Sequence, residues 1–180
     1  MVEITKNFFE LFQIPVACHV DSALLAGKYR ELQKAVHPDR FAGESERQQR
    51  LSIQYAAYVN EGYETLKSPL KRSLYLLKMA GNPVNLESNT VMDPGFLMEQ
   101  MELRESMSEL RDSKDPEEEL ERLIESVDKG IDGLHQQFER HWQAGDEAGL
   151  DAAEALVRKM QFMVKLAAEL EQLESELLDN

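Results

Sequence analysis

Apolar residues recur along this chain with the spacing of an α-helix, and the stretches that carry them are bounded by prolines. Leu25, Tyr29, Leu32 and Val36 stand at i, i+4, i+7 and i+11, the pattern of an amphipathic helix. Asp21 is placed to cap its start. Pro38 removes a donor and restricts His37, so this helix has to end near Val36. A second long helix is predicted from about Glu44 to Lys67, with Leu51, Tyr55, Tyr58, Val59 and Leu66 on its apolar side. The loop between the two is tight, which predicts antiparallel packing. The cluster Phe8–Ile14 before Pro15 reads as one or two helical turns. Ser68-Pro69 opens a short helix with Leu70, Leu74, Leu77 and Met79 on its buried side. Asp93-Pro94 and Asp115-Pro116 are N-caps followed by proline at the first helical position. The first leads a helix to about Leu110. The second leads the stripe Leu120, Leu123, Ile124, Val127, Ile131, Leu134 and Phe138. Asp146 opens a further long helix carrying apolar residues from Leu150 to Leu177. No segment alternates as a strand does. The expected fold is all-α, with three amphipathic helices and short connections forming a C-terminal three-helix bundle.

Charge divides the chain in two. Residues 1–80 hold 11 Lys/Arg against 9 Asp/Glu, a net of +2, whereas residues 81–180 hold 9 against 25, a net of −16. The segment between them, from Gly81 to Thr90, is rich in turn formers and lacks helical periodicity. It marks a linker at 81–90 between a unit at 1–80 and a bundle at 91–180. A net charge of −14 argues against nonspecific nucleic-acid binding, which depends on contacts to phosphate. No apolar run is long enough to span a bilayer, and the first ten residues are too polar for a signal peptide, so a cytoplasmic location is expected. The lone Cys18 excludes an internal disulfide. Cys18-His19 is an adjacent pair that cannot by itself hold a metal, and His135 and His141, six apart, do not share a helix face.

His37-Pro38-Asp39 falls in the loop between the two long N-terminal helices. Proline stiffens that backbone, and both flanking polar side chains can face water. A basic, tyrosine-bearing helix with Lys28, Tyr29, Arg30 and Lys34 precedes it, and Arg40-Phe41 follow. The run Tyr-Arg-x-Leu-x-x-x-x-His-Pro-Asp-Arg-Phe, the later Tyr55-x-x-x-x-Asn60-x-x-Tyr63-x-x-Leu66 and the ending Lys67-Ser68-Pro69-x-Lys71-Arg72 resemble the J domain of DnaJ-type co-chaperones. Two segments narrow the resemblance to the HscB family, the J-type co-chaperones of iron–sulfur cluster assembly. They are Asp93–Glu105 and Arg158–Leu166. The similarity covers nearly the whole chain, with no Gly/Phe-rich linker and no zinc-binding Cys repeats between the two parts. Two positions depart from the J-domain pattern: Glu31 stands where a second basic residue is common, and Val36 replaces the usual tyrosine before the histidine.

The resemblance implies a protein without chemistry of its own and without a cofactor or metal. Its J domain would stimulate the ATPase of an HscA/DnaK-type chaperone, and its bundle would deliver an IscU-type iron–sulfur scaffold protein. Chaperone contacts would be His37, Pro38, Asp39, Lys28, Tyr29, Arg30, Lys34 and Arg40. Client contacts would be Leu97, Met98, Met101, Glu102, Arg104, Glu105 and Phe162. Spacing supports part of the second set, because Leu97, Met98, Met101, Glu102 and Glu105 share one helix face. Spacing alone reads Leu97 and Phe162 equally as bundle core, and Lys28, Arg30 and Lys34 equally as a solvated face. Exposed Leu/Met residues would also serve weak self-association. Other readings are a general DnaJ-like co-chaperone for other clients, a non-catalytic helical adaptor, or an enzyme with a carboxylate-bridged di-metal site. The last needs paired Glu-x-x-His motifs, and the nearest approach is Asp132-Gly133-Leu134-His135.

Overall fold

The computed structural model describes residues 7–86, 93–110 and 113–178. Of the linker expected at 81–90, residues 87–90 lie outside the described residues, as do 1–6, 91–92, 111–112 and 179–180 of the flanking parts. All regular structure among the described residues is helical. The order is α1 (Phe8–Leu11), α2 (Ser22–Val36), a 3-10 turn (Pro38–Phe41), α3 (Glu46–Lys67), α4 (Pro69–Met79), α5 (Pro94–Glu109), α6 (Pro116–Ala144) and α7 (Glu147–Leu178). The chain divides into two compact units, Met1–Leu76 and Leu77–Asn180, and the division falls inside α4.

In the first unit α2 and α3 pack antiparallel. At the middle of α2, Tyr29 stacks on Tyr63 of α3 at 4.0 Å between ring centroids. At its end, Val36 shares a groove with Leu51 and Tyr55. Asp21 caps α2 by accepting from the backbone N–H groups of Ala23 and Leu24. A capping box between Ser45 and Gln48 starts α3 at Glu46, two residues later than expected. α1 is a single turn, and Pro15 is not what stops it. Gln13 turns into the left-handed region at φ 55°, and Ile14 N–H donates to Phe9 C=O while Gln13 N–H donates to Glu10 C=O. That pair of bonds is a Schellman ending, which closes the helix after one turn. The phenylalanines it places inward seat on Gly62 of α3, where a Cβ would stand 2.9 Å from Phe8 Cδ1.

α4 buries Leu77 as predicted, but its buried face extends further round than the predicted one. Its buried residues are Arg72, Ser73, Leu76 and Leu77, whereas Leu70 and Leu74 are half-buried and Met79 is exposed. The buried Arg72 is held by two carbonyls. Its guanidinium donates from Nε to Cys18 C=O at 2.6 Å and from Nη1 to Leu66 C=O at 2.5 Å. It thereby ties the loop before α2 to the end of α3. Burial lowers its pKa from the ordinary arginine value.

The second unit is an up-down-up bundle of α5, α6 and α7. Gly145 ends α6 in the left-handed region at φ 69°, and Asp146 accepts from Gly149 N–H to open α7. The core holds Phe96, Leu110, Leu120, Val127, Met163, Leu166 and Leu170. Glu117, Glu118 and Glu119 are the exposed first turn of α6, where three carboxylates face the positive end of the helix dipole.

Candidate functional site

The His37-Pro38-Asp39 corner stands in solvent. His37 and Asp39 side chains are 57% and 90% exposed. Pro38 holds His37 in extended backbone (φ −57°, ψ 128°) and opens the 3-10 turn. His37 Nδ1 accepts from Asp39 N–H at 3.3 Å, so a neutral ring carries its proton on Nε2. The Asp39 carboxylate lies 3.6 Å from the same Nδ1. Arg40 folds back, donating its backbone N–H to His37 C=O and its Nη1 to Lys34 C=O at the end of α2. The far side of the corner is tied to α3 by Gln49, which donates to the carbonyls of Ala42 and Glu44. Phe41, half-buried, seats the turn in a groove with Ala35, Val36, Leu51 and Tyr55. A short, polar, exposed loop is thus held at both ends, which lowers the ordering cost of any partner that docks on it.

The structure gathers His37, Asp39, Arg40 and Lys34 at one end of α2, with Arg30 one turn back on the same exposed face. Two other residues of the set sit elsewhere. Lys28 lies on the opposite flank of α2 and donates to Gln13 Oε1 at 3.3 Å. The Tyr29 hydroxyl donates to Asn60 Oδ1 at 3.0 Å and accepts from Gln33 at 2.6 Å, which fixes it between α2 and α3.

α5 carries apolar residues on both of its faces. Phe96, Leu103 and Leu110 point into the bundle, while Leu97, Met98 and Met101 are 41%, 63% and 72% exposed. Glu102 and Glu105 are exposed beside them. This outward patch consists of soft, adaptable side chains rimmed by carboxylates and lies outside the packing of the bundle. Phe162 of α7 is half-buried and meets Phe96 edge-on at 6.3 Å. Arg104 lies at the margin of the patch and forms a two-pronged ion pair with Glu169 of α7 at 2.8 and 3.2 Å. At the other end of α5, the N-cap Asp93 accepts from Phe96 N–H and from Lys159 of α7. These bonds hold the Asp93 carboxyl below its ordinary pKa. Lys159 also lies over the Phe96 ring at 5.4 Å. Sequence reasoning missed Glu169 and Lys159 as partners of α5, because nothing local links residues 65 and 66 positions apart. The signal present was their charge alone.

Among the described residues no group of three or more His, Cys, Asp or Glu stands where it could hold a metal ion. Cys18 is buried and His19 exposed, and His135 is buried against Phe138 while Asp132 faces solvent. No helix there is long and apolar enough to cross a membrane.

Residues 92–171 match a family model described as the HSCB C-terminal oligomerisation domain. Over 173 residues the chain is 44% identical to a co-chaperone protein HscB homolog of Shewanella baltica, spanning 96% of this chain and 99% of that one. The chaperone HscB from Vibrio cholerae superposes with a TM-score of 0.83 at 38% identity, covering 96% of this chain and 99% of that structure. Human co-chaperone protein HscB superposes with the same TM-score of 0.83 at 26% identity, over 96% and 84% of the two chains.

Proposed function

The chain belongs to the HscB co-chaperone family, and on that premise we propose that it couples an ATPase chaperone to an iron–sulfur scaffold protein. The J domain, assigned to 1–80, docks on an HscA/DnaK-type chaperone and stimulates its ATP hydrolysis. The bundle at 91–180, reached through the linker at 81–90, holds an IscU-type scaffold. The protein works in the cytoplasm and supplies contacts, not chemistry. The observation that carries the reading is the His37-Pro38-Asp39 corner, exposed yet anchored on both sides.

Each element of the corner has a physical task in this reading. The Nε2–H of the exposed His37 and the Asp39 carboxylate are one donor and one acceptor, offered together. They favour whichever chaperone conformation pairs both, which is a shift of population toward the hydrolysis-competent state. Arg30, Lys34 and Arg40 meet an acidic face and speed the encounter. On α5, Leu97, Met98 and Met101 bury against the client while Glu102 and Glu105 fix its orientation. Phe162 and Arg104 extend that surface toward α7. Met98 and Met101 are costly to leave in water, which favours a covered state.

Steady-state ATPase of a candidate chaperone tests the proposal, measured with this protein, with the scaffold, and with both. Stimulation by this protein alone and a more than additive rate with both are expected. Additive rates would leave a general J-type co-chaperone serving other clients. A second reading is self-association through the same α5 patch. The exposure of Met98 and Met101 and the oligomerisation role named for the matching family model favour it. Concentration-dependent sedimentation separates the two.

A further inference from the structure

We propose that the client surface continues from α5 onto α7, where Lys165 takes a carboxylate of the client and fixes which way round the client lies. The inference rests on the client-surface reading above and deepens it. α5 and α7 run in the same direction. Asp93 meets Lys159, Gln100 donates to Met163 Sδ at 2.8 Å and Arg104 meets Glu169, in ascending order along both helices. That register sets Lys165, between Met163 and Glu169, beside the stretch of α5 from Gln100 to Arg104, at the height of Met101. Round the axis of α7, Lys165 stands about 60° from Phe162 and about 40° from Glu169, at roughly 100° per residue. Phe162 and Glu169 both reach α5, whereas Leu166, next in the chain, is buried in the core. Lys165 therefore lies on the outward face that α7 shares with α5.

α7 carries three cations, Arg158, Lys159 and Lys165. Arg158 pairs with Glu154 and donates to Asn85 C=O. Lys159 pairs with Asp93. Lys165 is exposed and pairs with no carboxylate among the described residues. On the same side Arg104 and Glu169, each about half-exposed, offset one another's charge, so Lys165 supplies the net charge there. Leu97 and Met101 come next across α5, and the exposed Glu102 and Glu105 lie beyond them. The order across the surface is cation, apolar stripe, carboxylates. A partner with the complementary order, a carboxylate and a cation on opposite sides of an apolar patch, fits one way round. Docked in reverse it brings like charges together, which is costly. The long stem of Lys165 can also lie along the Phe162 ring while its ammonium stays in water.

Calorimetry of the full chain with the scaffold protein, at about 0.05 and 0.5 M salt, tests this. Lys165→Glu is expected to weaken binding about tenfold in low salt and about two-fold in high salt, because salt screens an exposed charge contact. Lys165→Ala, which adds no repulsion, is expected to lose about three-fold in low salt, and Lys165→Arg to stay within about two-fold of the parent. Lys129→Glu makes the same change of net charge on an exposed part of α6 and is expected to bind within about two-fold of the parent. Parent-like binding by Lys165→Glu would overturn the proposal. So would an equal loss in Lys129→Glu, which would make the effect one of overall charge, or a loss in Lys165→Arg as large as in Lys165→Glu. Met101→Lys separates the proposal from its premise. If Met101→Lys binds as the parent does, the client-surface reading falls and this inference with it. If Met101→Lys binds weakly and Lys165→Glu does not, only this inference falls.

Discussion

The Nδ1 of His37 accepts the backbone N–H of Asp39 at 3.3 Å, so the imidazole is oriented by the residue two positions ahead of it, across a proline. The bond makes the corner one unit: the ring cannot turn without releasing the N–H of Asp39, and Pro38 denies the backbone most of its alternatives.

His37→Gln should therefore separate function from folding. Gln cannot reproduce the fixed Nε2–H with its accepting Nδ1 partner. ATPase stimulation of the chaperone is expected to fall at least about tenfold, as for loss of a central anchor. The side chain is 57% exposed, so unfolding free energy should move by no more than about 0.5 kcal/mol. Parallel ATPase and denaturant titrations check this, and full stimulation by the variant would remove the corner from the mechanism.

Arg72→Met should do the reverse. It leaves the carbonyls of Cys18 and Leu66 buried without their donor, at a cost of about 2–4 kcal/mol. The urea midpoint of the N-terminal unit should drop accordingly. Arg72→Lys should recover part of the loss, because one ammonium can reach only one of the two carbonyls well.

Gly62→Ala and Gly130→Ala make a matched pair. At Gly62 the added methyl meets the Phe8 ring at 2.9 Å and Phe12 at 3.1 Å. Rigid rings in a packed core cannot yield, and a loss of about 1–3 kcal/mol is expected. At Gly130 the contact is nominally closer, 2.6 Å, but it falls on the terminal methyl of Met163. That atom can rotate away, and the helix gains up to about 1 kcal/mol from alanine. Thermal denaturation should show Gly130→Ala at or above the parent and Gly62→Ala well below it.

Asp93 makes the bundle sensitive to acid. Its hydrogen bond from Lys159, then that from Phe96 N–H, lower its pKa from the ordinary 3.8. A carboxylate depressed in the folded state contributes stability that is fully present above its unfolded pKa and is lost as pH falls through the folded value. Asp93→Asn keeps an N-cap but loses the charge. The melting-temperature gap between parent and Asp93→Asn should be constant from pH 7 down to about 5 and close below the ordinary carboxylate range. A gap unchanged at pH 3 would remove the Asp93–Lys159 pair as its source.

Much of this protein was legible from local chemistry. Asp21, Asp93, Asp115 and Asp146 announce helix starts because a carboxylate beside free backbone N–H groups stabilises a turn wherever it occurs. The apolar stripes of α6 and α7 fall where periodicity puts them, since a helix in water must bury that stripe. The His37-Pro38-Asp39 corner was visible because proline restricts its own backbone and that of the residue before it.

Other features depended on packing between distant segments. The Schellman ending of α1 places a left-handed turn at Gln13, a residue with no local mark for it. Arg72 looks like one more surface cation until two carbonyls, 54 and 6 residues before it, converge on its guanidinium. Which of the two apolar faces of α5 turns outward is settled by Phe96, Leu103 and Leu110 fitting the α6–α7 groove, with Lys159 and Glu169 at the right heights. The sequence by itself determined where helices begin, end and are apolar, because those follow from neighbours within a turn or two. Only the tertiary structure decided which charges pair and which apolar face stays in water, because those follow from the register between helices distant in the chain.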